Sequence, residues 1–252
     1  MIEKLLQIRN LNKSFEGIKA VDDLSLEIYH NETIGLIGPN GAGKTTLFNV
    51  ITGFLKEDSG NILFLDKNTN KMPSYKIARL GISRTFQILR LIKQITVIEN
   101  ILLACENKPG EHIRGIFFQS GKVKRIEKQN RGKALGLLEY AGILDKQNEL
   151  ADNLSYGQQK LLSILCCLAT DAKLFLFDEP IAGINPEMAE KILKIIKELP
   201  GKGKTVMIIE HNMNVIKDIC NRVIFMDAGK KIAEGTPDEV LNDPRVIESY
   251  LD

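Results

Sequence analysis

The chain has 252 residues and a formal net charge of +2, from 34 Lys and Arg against 32 Asp and Glu. That length suits one large domain or a core with a smaller lobe, and so slight a basic excess gives no argument for a nucleic-acid partner. With 44% hydrophobic residues, no apolar run near 18 residues and no signal-peptide pattern in Met1-Ile2-Glu3-Lys4, the expected class is a globular chain that does not itself span a membrane.

Residues 5–9 and 24–28 alternate in polarity and predict antiparallel strands. Between them stands Phe15, which on its own fits ordinary core or an aromatic platform for an adenine ring. Residues 33–37 form an apolar run and predict a buried strand. It leads into Gly38-Pro39-Asn40-Gly41-Ala42-Gly43-Lys44-Thr45-Thr46, which satisfies G-x-x-x-x-G-K-[ST] from Gly38 to Thr45. Gly38, Gly41 and Gly43 let the backbone fold into a nest whose N–H groups point at phosphate oxygens. Lys44 places a positive charge between the β- and γ-phosphates, and the Thr45 hydroxyl is suited to Mg²⁺. Residues 45–54 predict a helix whose positive dipole end faces the phosphates.

Residues 60–65 predict a further strand, and 73–80 a short helix with Pro73 in its first turn. Residues 82–87 predict a strand ending on the amide of Gln87, placed to sense Mg²⁺ and an attacking water. From residue 88 the pattern turns helical, with a helix over 96–105, a loop over 106–122 and an amphipathic helix over 122–142. Its basic residues, Lys122, Lys124, Arg125, Lys128, Arg131 and Lys133, read as a solvated face or, more sharply, as a nucleic-acid or lipid-headgroup patch. Residues 88–165 therefore predict a helical lobe inserted into an α/β core formed by 1–87 and 166–252. Within Leu154-Ser155-Tyr156-Gly157-Gln158-Gln159-Lys160, Ser155 is a good N-cap and Gly157 keeps the backbone open to a ligand; alone, the heptad fits a plain helix start equally well. A mostly apolar helix follows over 158–169. Cys105, Cys166, Cys167 and Cys220 show no C-x-x-C pair and read as reduced, mostly buried thiols of a cytosolic protein.

The run 173–180 is an apolar strand that ends on two carboxylates, where parallel sheets place ligand chemistry. Asp178 suits Mg²⁺, and Glu179 suits polarising an attacking water. Residues 186–199 predict a helix and 205–209 a buried strand ending in Glu210-His211, where an imidazole can bond a γ-phosphate. Residues 222–227 and 230–234 predict a hairpin turning at Ala228-Gly229. A short acidic helix and 246–251 finish the chain.

Six motifs follow one another in the order of an ABC-type ATPase: the phosphate loop, Gln87, the 154–160 heptad, Asp178-Glu179, Ala182-Gly183-Ile184-Asn185 and His211. The resemblance covers the whole chain, with Tyr156 where many members have Gly and Asn185 where many have Asp. Ser83-Arg84-Thr85-Phe86-Gln87, Ala182-Gly183-Ile184-Asn185-Pro186, Glu210-His211-Asn212-Met213 and the ending at Leu251 resemble the larger-insert ATPase subunit of branched-chain amino-acid importers.

The resemblance implies one ABC ATPase domain over 1–252. Its fold would be a P-loop NTPase core with an antiparallel β subdomain and an inserted α-helical subdomain. Two such subunits would face head to tail around two ATP molecules. Phe15 would stack adenine, residues 38–46 would hold the phosphates, and Thr45, Gln87 and Asp178 would organise Mg²⁺. Glu179 is implied as general base and His211 as a γ-phosphate contact. Ser155, Gly157 and Gln158 would reach the nucleotide of the opposite subunit. The implied partners are a second ATPase subunit, two membrane permease subunits and, indirectly, a solute-binding protein at the cytoplasmic face of the membrane. ABC ATPases acting on nucleic acid or ribosomes form the alternative, but the chain has one phosphate loop and no long heptad run. Transport of urea, another amino acid or a lipid stays open.

Overall fold

The computed structural model describes residues 3–87, 89–105 and 120–249. Most of the loop expected at 106–122 lies outside these residues, as do Tyr250 and Leu251. The chain divides into two compact units, Met1–Arg84 with Ala172–Pro180 and Ile196–Asp252, and Thr85–Asp171 with Ile181–Ile195.

In the first unit, β1 (Lys4–Phe15) and β2 (Ile18–Tyr29) pair antiparallel, and β4 (Ser59–Phe64) lines the other edge of β1. Both strands run well past the expected 5–9 and 24–28. Pairing continues to Phe15↔Ile18, across a turn in which Glu16 and Gly17 both have positive φ. That turn geometry matches the twist of a hairpin, so nothing ends the ladder earlier. With β5 (Lys67–Asn68) the order is β2-β1-β4-β5.

The second sheet of this unit runs β10-β9-β3-β8-β7-β6 among the described residues. Its parallel strands are β3 (Thr33–Ile37), β6 (Ile82–Arg84), β7 (Leu174–Asp178), β8 (Thr205–Ile209) and β9 (Arg222–Asp227); β10 (Lys230–Gly235) returns antiparallel. Every residue of β3, β7 and β8 is buried, as continuous apolar runs require in a sheet covered on both faces. Alternate residues of one face, Ile34, Leu36, Leu176, Met207, Ile209 and Ile224, join Leu6, Ile8 and Leu24 of the antiparallel sheet in one core. Helix α1 (Lys44–Ile51) adds Leu47, Phe48 and Ile51 to that core. Each such side chain, fully buried, is worth about 1.5–3 kcal/mol. The core thereby clamps α1 between the two sheets and fixes the loop before it. Also in this unit are α2 (Ser74–Leu80), α7 (Met213–Ile219), α8 (Pro237–Leu241) and α9 (Pro244–Glu248).

The helical unit holds α3 (Val97–Ala104), α4 (Ser120–Tyr140), α5 (Tyr156–Ala169) and most of α6 (Pro186–Glu198). It is larger than the expected 88–165. Helix α5 is continuous to Ala169 and packs against α3 and α4, so no division falls at residue 166. Thr85, Phe86 and Gln87 also belong here. A capping box starts α3: Glu99 N donates to Thr96 Oγ1, and Thr96 N donates to Glu99 Oε2 at 2.8 Å. On α4, Lys124, Arg125, Lys128 and Arg131 are exposed, while Lys133 pairs with Asp171 at 2.6 Å. No helix among the described residues is long and apolar enough to cross a membrane. The four cysteines are free thiols; burial pushes Cys166 well above its ordinary pKa and Cys220 up to about 12.

Candidate nucleotide site

Strand β3 ends at Ile37 and α1 begins at Lys44, so residues 38–43 form the turn between a buried strand and a helix. A Cβ on Gly38 would stand 1.9 Å from the Met226 carbonyl oxygen, and one on Gly43 2.0 Å from that of Ala20. The loop therefore lies flush on β9 and β2 at positions that admit no side chain. Gly229 N donates to Ala42 O at 3.1 Å, and Asp22 N donates to Gly229 O at 2.9 Å, so the β9–β10 turn braces the loop from behind. Pro39 is half-buried and Ala42 buried, whereas Asn40 and Gly41 are exposed. Thr45 is exposed and Thr46 half-buried in the first turn of α1, which contains no acid. A helix start of this kind, without its own anion, attracts phosphate.

Lys44 is 6% exposed, and its Nζ donates to Gly38 O at 2.7 Å and Pro39 O at 2.8 Å. Burial pushes its ammonium below the ordinary value, against the opposing pull of Glu179 and Asp178. Those acids sit at the tip of β7. Asp178 is buried, and burial pushes its carboxyl above the usual range while the Arg84 guanidinium opposes the shift. Arg84 Nη2 donates to Asp178 Oδ2 at 2.8 Å. Glu179 adopts φ 47°, and its N donates to Ile209 O at 3.0 Å, tying the strand tip to the end of β8. The chain leaves β8 through Glu210 and His211, and His211 Nε2 lies 3.2 Å from Glu179 Oε1. The unit thus gathers the 38–46 loop, Asp178, Glu179 and His211 at the C-terminal ends of β3, β7 and β8. Ligands bind at that edge of such sheets.

Phe15 is 42% exposed at the end of β1, with Lys13 Nζ 5.4 Å from its ring centre. It is not a core residue. An exposed ring on a strand end is available for stacking.

The family described as ABC transporter matches residues 21–182. The chain belongs to that family. It is an ATPase, built as a P-loop NTPase core with an antiparallel sheet and a helical unit. A second family, described as branched-chain amino acid ATP-binding cassette transporter, matches residues 230–251. The chain is 38% identical to the high-affinity branched-chain amino acid transport ATP-binding protein LivG of Escherichia coli, over all of this chain and 99% of that protein. It is also similar to an ATP-binding cassette of an ABC transporter solved in its ADP conformation, with a TM-score of 0.84, 36% identity, and 99% of each chain covered. A third relative is a cassette solved as a dimer in a post-hydrolysis state bound to ADP and Pi. There the TM-score is 0.76 and the identity 26%, over 92% of this chain and 98% of that one.

The cassette's helical unit carries the remaining candidate residues. Gln87 is exposed in a bend, past the end of β6 at Arg84; the strand stops short of the expected residue 87 because its pairing with β7 ends at Arg84↔Leu176. Ser155 caps α5 in a second capping box, accepting from Gln158 N while its own N donates to Gln158 Oε1 at 2.9 Å. The Gln158 amide is therefore held at its own helix start. Gly157 lies in the first turn of the same helix. Asn185 accepts from Met188 N at 2.9 Å, so its side chain caps α6. Lys160 Nζ donates to Ala182 O at 2.6 Å and holds the 182–185 turn.

Two residues behind the strand tip were not predicted. Arg84 and Asn49 join in one contact, with Arg84 Nη1 donating to Asn49 Oδ1 at 2.7 Å. Arg84 closes the three-residue strand Ile82-Ser83-Arg84, which carries no motif that would single it out.

Proposed function

We propose that this cassette powers import of branched-chain amino acids, with its 252 residues working as one ATPase domain. The observation that carries the substrate class is the match of residues 230–251 to the branched-chain amino acid cassette family, since this segment lies outside the ATPase motifs. Full-length similarity to LivG supports the same reading. The cassette would sit peripherally at the cytoplasmic face of a membrane. There it would pair with a second cassette and drive two permease subunits fed by a solute-binding protein.

In this reading Phe15 stacks adenine, and Gly38, Pro39, Asn40, Gly41, Ala42, Gly43, Lys44, Thr45 and Thr46 hold the phosphates. Thr45, Gln87 and Asp178 offer a hydroxyl, an amide and a carboxylate, the hard oxygen donors that Mg²⁺ takes. An ion held by these oxygens would supply positive charge against the phosphates. The chemistry then falls to two side chains. Glu179 takes a proton from the water whose oxygen bonds the γ-phosphorus, while the bond to the ADP oxygen breaks. His211, 3.2 Å from Glu179, holds that carboxylate and contacts the γ-phosphate. Ser155, Gly157 and Gln158 reach the γ-phosphate bound by the opposite cassette, so one chain holds half of each site.

Reconstitution in liposomes with its permeases and solute-binding protein tests the substrate. ATP-dependent uptake of leucine, isoleucine or valine is expected. Uptake of urea or a lipid with none of these amino acids would overturn the assignment.

A further inference from the structure

The Arg84 side chain is 4% exposed and that of Asp178 2%, and the two meet at 2.8 Å. The same guanidinium uses its other terminal nitrogen on Asn49 Oδ1 at 2.7 Å and lies 5.3 Å from the ring centre of Phe48. Asn49 and Phe48 belong to α1, the helix that begins with Lys44 and Thr45. Asp178 ends β7. One rigid, planar fork therefore spans two elements, each of which carries an oxygen assigned above to the divalent cation.

A buried ion pair is a weak source of stability, because desolvation offsets most of the attraction. Its value here is geometric. Arginine presents its N–H groups in a fixed plane, so two acceptors bound to it are held at a set separation and angle. Phe48 covers the guanidinium and keeps it dehydrated, which strengthens both contacts. Mg²⁺ demands near-ideal octahedral geometry with oxygens at about 2.0–2.1 Å, whereas Ca²⁺ accepts about 2.3–2.6 Å and flexible geometry. A brace between the Thr45 helix and the Asp178 strand therefore matters more for Mg²⁺ than for Ca²⁺.

We propose that Arg84, seated on Asn49, is a positioning residue that holds Asp178 in register with Thr45 and so gives the site its preference for Mg²⁺. The inference rests on the assignment of Thr45 and Asp178 to the cation. Outer partners of metal ligands typically change metal affinity by about 10–100-fold when removed. The test is equilibrium binding of a fluorescent ATP analogue to the full chain in EDTA, in Mg²⁺ and in Ca²⁺, for Arg84→Met, Asn49→Ala and Asp178→Asn. Affinity in EDTA is expected to stay within about threefold of the parent for Arg84→Met and Asn49→Ala, since neither residue touches the nucleotide in this scheme. The gain in affinity on adding Mg²⁺ is expected to fall by about tenfold or more in Arg84→Met and less in Asn49→Ala, with a smaller loss of the Ca²⁺ gain in both.

Asp178→Asn separates the two layers of the reasoning. If it keeps the full Mg²⁺ gain, the assignment of Asp178 fails. If it loses that gain while Arg84→Met and Asn49→Ala keep it, only the positioning role is overturned. Equal losses for Mg²⁺ and Ca²⁺ would also overturn it, by making Arg84 a general buttress. Should Arg84→Met not fold, Asn49→Ala decides by the same criteria, because Asn49 is half-buried and its loss leaves the Arg84–Asp178 pair in place.

Discussion

Replacing Gly43 by Ala separates the fold's demands on the phosphate loop from the ligand's. Gly43 has φ 95°, and an added Cβ would stand 2.0 Å from the Ala20 carbonyl oxygen. Even a favourable C–H···O contact keeps carbon and oxygen about 3.3–3.6 Å apart, so something must move by more than about 1 Å. The obstructing carbonyl belongs to β2, which is paired with β1 along its length and yields little. Left-handed strain adds about 1–2 kcal/mol and overpacking about 1–3, a total of about 2–5 kcal/mol. For a chain of this size that is a fall in Tm of about 4–20 °C. Gly41 is the control, with φ 83° and nothing within 4 Å. Gly41→Ala should cost only about 1–2 kcal/mol, or about 2–8 °C, yet its methyl would stand in the open space left for phosphate. Thermal denaturation followed by circular dichroism without nucleotide, beside a fluorescent nucleotide titration, reads both effects. A Gly43→Ala chain that melts within about 2 °C of the parent, or a Gly41→Ala chain that is the less stable of the two while binding nucleotide normally, would refute these roles.

Lys44→Ala should abolish binding at micromolar ATP in calorimetry, because it removes both the countercharge and the two contacts that brace Gly38 and Pro39; undiminished binding would remove Lys44 from the phosphates. Phe15→Ala should weaken ATP by about 1–3 kcal/mol with little change in Tm, since base stacking is lost and no core contact is; Phe15→Tyr should bind as the parent does, and a large loss of stability without loss of affinity would return Phe15 to a structural role. Ser155→Arg should lower stability by about 0.5–2 kcal/mol through the lost cap and leave ATP binding by single chains intact, yet stop hydrolysis. Hydrolysis that is first order in single chains would contradict the shared site.

The parts of the fold legible in the sequence were those where burial is complete. Residues 33–37 and 205–209 are apolar after an opening threonine, and β3 and β8 have those bounds because both faces of the sheet are covered. Strand ends were less legible where the ladder runs on through polar residues. Lys13 and Ser14 belong to β1 because backbone pairing, not side-chain burial, sustains it. Helix α7 went unpredicted although Asn212 accepts from Asn214 N and Val215 N and so marks its start. The glycines, lysine and acids proposed for the site stand in short motifs, which is why they can be singled out from the sequence. Arg84 could not be named in this way. Its partners Asn49 and Asp178 lie 35 and 94 residues away in the chain, and only the pairing of β6 with β7 and the packing of α1 bring them together. The extent of the helical unit was not legible either, since α5 runs unbroken from Tyr156 to Ala169 and residues 181–195 group with the helices.

Glu179 is proposed to supply the base while two chains share each ATP. Glu179→Gln keeps the length and hydrogen-bonding reach of the side chain and removes its basicity. Loss of a positioned base costs about 10²–10⁴-fold in rate, and loss of its charge relieves repulsion from the γ-phosphate. The decisive measurement is the nucleotide content of the dimer-sized fraction when Glu179→Gln, alone or with its paired cassette, is run on size exclusion in ATP and Mg²⁺. A dimer holding unhydrolysed ATP is the predicted result. Bound ADP formed at the parent's rate, or a chain that stays monomeric in ATP with every cassette offered to it, would contradict it.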